Sequence, residues 1–125
     1  MPSIPSGAEL AILTVLWRCG PSTVREVHEA LAKETGYTST LKQMQVMQEK
    51  GLLRRTERYR SHIYEAAVSK EEVQARIAGD MLHRAFEGSA KSLVLGALTA
   101  QRASTEDLNE IRRIIDEFEH RRNRR

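Results

Sequence analysis

The chain has 125 residues, of which 40% are hydrophobic, 30% charged and only 5% aromatic. That length holds one domain, or a small domain with an appendage, and is too short for two catalytic domains around a cleft. The formal charge of +3 is only mildly basic, and the single cysteine, Cys19, excludes an internal disulfide framework and a multi-cysteine zinc site.

One unpaired cysteine fits a reducing compartment. No apolar stretch approaches the ~20 residues that span a bilayer, and the opening MPSIPSGAEL has neither a basic n-region nor an apolar h-region. A cytoplasmic protein with no membrane insertion is therefore expected. The low aromatic content favours charged helices over an all-β sandwich.

Ser6 with Glu9 three positions on forms a capping-box pattern, which starts a first helix at residue 7. Leu10, Leu13, Leu16 and Trp17 make its apolar stripe, and Gly20-Pro21 stops it. Ser22 or Thr23 caps a second helix with Val24, Val27, Ala30 and Leu31 as its core face, ended by Gly36. A third helix begins at Thr38–Ser39, points Leu41, Met44 and Met47 inward, and stops at Gly51. About a dozen residues give it a length of roughly 18 Å.

The pattern then changes. Tyr59, Ile63 and Tyr64 favour extended structure, and the polar run between apolar ends predicts a hairpin with its turn somewhere in 57–61. From Ser69, capped with Glu72, a long helix resumes along Val73, Ile77, Met81 or Leu82, and Ala85 or Phe86, until Gly88 breaks it. Leu93 to Leu98 fit a short helix interrupted by Gly96. Ser104 or Thr105 caps a last helix with the stripe Leu108, Ile111, Ile114, Ile115 and Phe118.

Three short capped helices followed at once by a hairpin give a winged helix-turn-helix, so the fold class is mainly α with a small β-wing. The expected organisation is a winged-helix DNA-binding domain over 1–67, a helical dimerisation domain over 68–120 and a disordered basic tail over 121–125. The charge is segregated accordingly. Residues 38–62 carry six basic side chains against Glu49 and Glu57, whereas the segments on either side are close to neutral. That stretch covers the third helix and the wing, the two elements such a fold offers to DNA.

On the third helix, Thr38, Ser39, Lys42, Gln43, Gln45 and Glu49 face outward. Gln pairs bidentately with adenine, Lys reaches guanine, and Ser or Thr bonds a base or a phosphate. The wing holds four arginines against one glutamate within 54–62. A hairpin edge blunted only against aggregation uses lysine and both signs of charge, so this excess points to phosphate or to a narrow minor groove. The expected DNA interface is Thr38, Ser39, Thr40, Lys42, Gln43 and Gln45 on the helix, with Arg58, Arg60, Ser61 and His62 on the wing.

His28, His62, His83 and His120 lack paired ligand spacing, and Asp80 with His83 makes only a weak pair, so no metal site and no cofactor are expected. Cys19 at a helix end reads as a packing residue. No catalytic triad, P-loop or dinucleotide fingerprint is present, which argues against an enzyme. The later helices carry surplus apolar faces. Ile77, Met81, Leu93, Leu95, Leu98, Leu108, Ile111, Ile115 and Phe118 are expected to pair with the same face of a second chain.

The stretches ELAILTVLW, TVREVHEAL, YTSTLKQMQVMQEKGLLRR and RSHIYEAA, followed by FEGSAKSLVLGAL and STEDLNEIRRII, resemble the penicillinase-repressor family, the BlaI/MecI/CopY type. The resemblance covers roughly residues 8–118. It implies a homodimeric winged-helix repressor on a palindromic operator, with Thr38, Ser39, Lys42 and Gln43 at the groove and Arg60 and His62 on the wing. It implies that the helices after Ser69 form the dimer. In β-lactam-responsive members a membrane-bound sensor protease cuts after the SLVL stretch, which here places scission at Gly96-Ala97, without the Asn-Phe pair of well-known members. Val46 stands where many members carry Arg, and Lys42 where several carry Thr. The C-terminal cysteine cluster of copper-responsive members is missing. Two other readings of the same fold are a protein–protein interaction module, which would not need the charge at 38–62, and a sequence-indifferent architectural DNA binder, which would not need Ser39, Lys42 and Gln43.

Overall fold

The computed structural model describes residues 4–32 and 36–124. Its elements run α1 (Gly7–Cys19), α2 (Val24–Leu31), α3 (Tyr37–Glu49), β1 (Leu53–Arg58), β2 (Ser61–Ala66), α4 (Lys70–Ala85), α5 (Ala90–Ala100) and α6 (Thr105–Asn123). The chain divides into two compact units, one up to Asp80 and one from Met81. The division falls inside α4, not at 67/68, because the start of α4 belongs to the first unit. Val73 is buried, and Trp17 Nε1 donates to the Val68 carbonyl at 3.0 Å.

The first unit is a winged helix. α1, α2 and α3 pack about one core of Ile12, Leu13, Leu16, Val24, Val27, Met44 and Met47, closed by Leu52, Leu53 and Tyr64 from the wing. Leu13 and Leu16 of the expected stripe are buried, and Ile12 is fully buried with them, while Leu10 and Trp17 are half-buried, so the inward face of α1 is turned towards Ile12. On α2, Ala30 is exposed: Val24, Val27 and Leu31 already fill that side, and Ala30 falls off their face. Cys19 is exposed too, which rules out the packing role expected for it.

Local hydrogen bonds set the helix starts. Ser6 and Glu9 form a complete capping box on α1, and Thr23 and Glu26 form one on α2. Ser69 and Ser104 accept from Glu72 N and Asp107 N at the starts of α4 and α6. α2 ends at Leu31 with Ala32 in the left-handed conformation, φ 49°, and Gly36 instead becomes the N-cap of α3. α6 runs on to Asn123, so Arg121 and Arg122 are helical instead of belonging to a structureless tail.

Glu9 ties this unit together a second time. Its Oε1 accepts from Ser6 N, and its Oε2 accepts from Lys50 Nζ at 2.9 Å, joining the start of α1 to the end of α3. Burial pushes the carboxyl pKa up, but the Lys50 ammonium and the Ser6 donors outweigh it and hold the group below its ordinary value of 4.5. A carboxyl lowered by folding stabilises the fold above its unfolded pKa, and that contribution is lost as pH falls through the folded value. Thermal melts between pH 3 and 7 therefore show an acid-side loss of stability in the wild type. Glu9→Gln is expected to melt lower at pH 7 and to show a smaller drop on acidification; an unchanged acid profile would refute the assignment.

β1 and β2 form an antiparallel hairpin in the register Leu53↔Ala66 to Arg58↔Ser61. Alternation puts Leu53 and Tyr64 into the core and leaves Arg54, Thr56 and Arg58 on the opposite face. Beyond the hairpin, Tyr64 exchanges both backbone hydrogen bonds with Ser22, at 2.8 and 2.9 Å, so the wing is anchored to the turn before α2.

In the second unit, α5 spans Gly96 without interruption. The glycine is accommodated because the Phe86 ring occupies its flank: an added Cβ would lie 3.2 Å from Phe86 Cε1. Among the described residues from Met81 onward, none is buried. Leu95 is 62% and Phe118 60% exposed, with Met81, Val94, Ile114 and Ile115 also open to solvent.

Candidate nucleic-acid interface

The orientation of α3 is fixed at its junction with α2. His28 Nδ1 and Thr40 Oγ1 are 2.7 Å apart. The His28 ring meets Tyr37 edge-on with centroids 6.0 Å apart, and the Arg25 guanidinium lies 5.0 Å over the Tyr37 ring. Thr40 is only 3% exposed, so it leaves the set of residues able to touch DNA. Its inward direction follows from phase: Thr40, Met44 and Met47 fall at i, i+4 and i+7 and share one face.

The opposite face is then presented outward. Ser39, Lys42, Gln43 and Val46 line a shallow groove of about 320 Å³ along α3. Thr38, Ser39, Lys42 and Gln45 are exposed, and Gln43 and Val46 are half-buried at its edge. The N-cap of α3 is Gly36, and no side chain caps this terminus. Uncapped N–H groups at a helix start favour an anion.

A second concavity, about 370 Å³, lies where the wing meets the helices. Thr23 at the cap of α2, Val24 and Arg25 of α2, Tyr37 and Leu41 of α3, and Ser61, His62 and Tyr64 of β2 line it. The start of α3 and the wing residues Ser61 and His62 therefore border one cleft. Arg25 and Tyr37 were not among the expected site residues. Arg25 did leave a signal: a cation in the first turn of a helix opposes the helix dipole, so its placement asks for another reason.

Of the six cations in 38–62, two are committed inside the protein. Lys50 pairs with Glu9, and Arg54 Nε lies 3.7 Å from Glu65. Among the described residues, Lys42, Arg55, Arg58 and Arg60 form no ion pair and are exposed. Arg58 precedes the hairpin tip and Arg60 is part of it: Tyr59 and Arg60 adopt φ 52° and φ 64°. Those two central residues make the two-residue loop that closes the register at Arg58↔Ser61. Ser61 and His62 are exposed where the second strand begins.

No group of three or more potential metal-ligating side chains occurs among the described residues, and no helix there is long and apolar enough to cross a membrane.

The model of the family described as penicillinase repressor matches residues 5–117. A penicillinase repressor of Bacillus licheniformis is 26% identical over 98% of this chain and 98% of its own. The transcriptional regulator BlaI of Mycobacterium tuberculosis is 29% identical over 89% of this chain and 82% of its own. A crystal structure of an ArsR family transcriptional regulator aligns at a TM-score of 0.48 and 23% identity, covering 67% of this chain and 81% of that one. With a match that runs from before α1 to within α6, the chain belongs to the penicillinase repressor family of transcriptional regulators.

Proposed function

We propose that this protein is a homodimeric repressor that binds a palindromic operator and blocks transcription by occupying the promoter. The observation that carries the reading is the outer face of α3 with the wing: exposed, without ion pairs among the described residues at Lys42, Arg55, Arg58 and Arg60, and continuous through the cleft bordered by Tyr37, Ser61 and His62. In this reading α3 lies in the major groove with Thr38, Ser39, Lys42, Gln43 and Gln45 towards the bases. Arg58, Arg60, Ser61 and His62 hold the flanking backbone.

Dimerisation is supported by the second unit. The forty-odd described residues of this unit include no buried side chain and so no hydrophobic core of their own, while Leu95, Ile115 and Phe118 expose apolar surface. A second copy supplies the missing cover, with Met81, Leu93, Leu98, Leu108 and Ile111 at or beside the interface; Ile77, expected there too, falls in the first unit. Two-fold symmetry then places two α3 helices in major grooves about 34–36 Å apart.

Release by a membrane-bound sensor protease at Gly96-Ala97 belongs to the same proposal. The bond lies within α5, where glycine weakens a helix by about 1 kcal/mol relative to alanine. Incubation with the cognate protease is expected to give a single cut there; an intact 93–99 segment would exclude this route.

The test of the whole reading is selection from a random duplex pool. The expected outcome is a palindrome with half-sites one helical turn apart. Enrichment of nothing above bulk DNA would favour the architectural binder, and no retention of DNA would favour the protein-binding module.

A further inference from the structure

The wing tip carries a feature that phosphate binding alone does not require. Tyr59 and Arg60 are the two central residues of the hairpin turn, both with positive φ, at 52° and 64°. Such a turn normally takes Asn-Gly or Asp-Gly, because L side chains are disfavoured there and aromatic ones have no local hydrogen bond to offer in return. The strained pair gains nothing from packing, since Tyr59 is 89% exposed, the most open large hydrophobic residue described. Its one contact of note is with a cation: the Arg58 guanidinium lies 5.6 Å over its ring.

Neither stability nor solubility accounts for an aromatic ring held out at a strained turn. Strain that persists at an exposed position points to use. The ring stands between Arg58 and Arg60, two exposed cations without ion pairs among the described residues, at the end of the element that the proposed function sets against DNA. We infer that Tyr59 is a DNA-contacting residue of the wing: its ring enters the minor groove beside the recognition half-site and packs on the deoxyribose edges, with Arg58 and Arg60 on the flanking phosphates. This inference rests on the operator-binding reading. An aromatic wedge between two arginines suits a minor groove, whose floor offers little hydrogen-bond information but whose walls are apolar sugar. The contact selects narrow, deformable flanks instead of individual bases.

The strain makes the test clean. Tyr59→Gly and Tyr59→Asn suit the left-handed backbone better than tyrosine does, so both fold with a melting temperature equal to or above the wild type. The duplex selected by the wild type from a random pool is the probe, with binding read by titration and sugar contacts by hydroxyl-radical footprinting. Both variants are expected to bind about tenfold more weakly and to lose protection of the minor-groove sugars flanking each half-site. Tyr59→Phe keeps the ring and is expected within about threefold of wild type, with the footprint intact. Wild-type affinity and an unchanged flanking footprint in Tyr59→Gly would overturn the inference while leaving operator binding in place. Failure of the wild type to select any duplex would overturn both.

Discussion

Phe118→Glu is expected to turn the protein into a monomer at micromolar concentration, read by light scattering or sedimentation. Phe118 is 60% exposed on α6, and its ring carries the Arg121 guanidinium 4.9 Å away. In a two-fold dimer the residue occurs twice, so each substitution acts twice. Losing the burial of one Phe costs about 2 kcal/mol, and two copies about 4 kcal/mol, or roughly three powers of ten in the dimer dissociation constant. The buried charge introduced adds to that. The first unit keeps its own core, from Ile12 through Tyr64, so the variant is expected to retain a cooperative melt for that unit. With one α3 per molecule it binds a single half-site, and affinity for the full palindrome collapses. A variant that stays dimeric would place the interface elsewhere than α6.

The double variant Arg58→Ala/Arg60→Ala is expected to change the salt dependence of binding more than its sequence preference. Each side chain is exposed at the wing and makes no ion pair among the described residues. If each neutralises one phosphate, a dimer loses four such contacts. The slope of log K against log salt then becomes shallower by about 3 to 4, because each released counterion contributes about 0.9. Affinity at low salt falls by orders of magnitude, while the ratio between the selected duplex and mixed-sequence DNA changes little. Since Arg54 is held by Glu65, Arg54→Ala serves as the comparison and is expected to change the slope by less than either residue at the tip. An unchanged slope in the double variant would take the wing off the backbone.

Much of this architecture is legible in the sequence because it is decided within three or four residues. The pairs Ser6/Glu9, Thr23/Glu26 and Ser69/Glu72 mark helix starts through side chain to backbone bonds that involve no distant partner. What the sequence hides is set by packing. In AILTVLW nearly every residue is apolar, so periodicity picks out Leu13 and Leu16 but not Ile12, which is buried beside them. Thr40 has the chemistry of a surface or DNA-reading residue, and only its phase with Met44 and Met47, and His28 across the junction, place it inside. The turn at Tyr59-Arg60 lacks every usual turn residue; the pairing of Leu53 with Ala66 and of Arg58 with Ser61 forces it there. Gly96 reads as a helix interruption, but the Phe86 ring on its flank makes it a packing residue within α5.

The candidate interface divides along the same line. Its cations are visible as a cluster in 38–62, because charge segregation needs no fold. Which of them are free is not visible, since Lys50 and Arg54 are tied up by Glu9 and Glu65, residues 41 and 11 positions away along the chain. Arg25 and Tyr37 join the site only through the α2–α3 junction.

The most direct test of operator recognition is a titration of purified protein against the duplex it selects from a random pool, with mixed-sequence competitor, for wild type and Lys42→Ala. Lys42 lies exposed on the groove of α3 and is not a member of the core. The wild type is expected to give two chains per duplex and to resist the competitor. Lys42→Ala is expected to keep its fold and its affinity for mixed DNA while losing about tenfold or more of its preference for the selected sequence, the scale of one lost base contact. A wild type that binds selected and mixed DNA alike, or a Lys42→Ala variant whose preference is unchanged, would contradict base reading by α3.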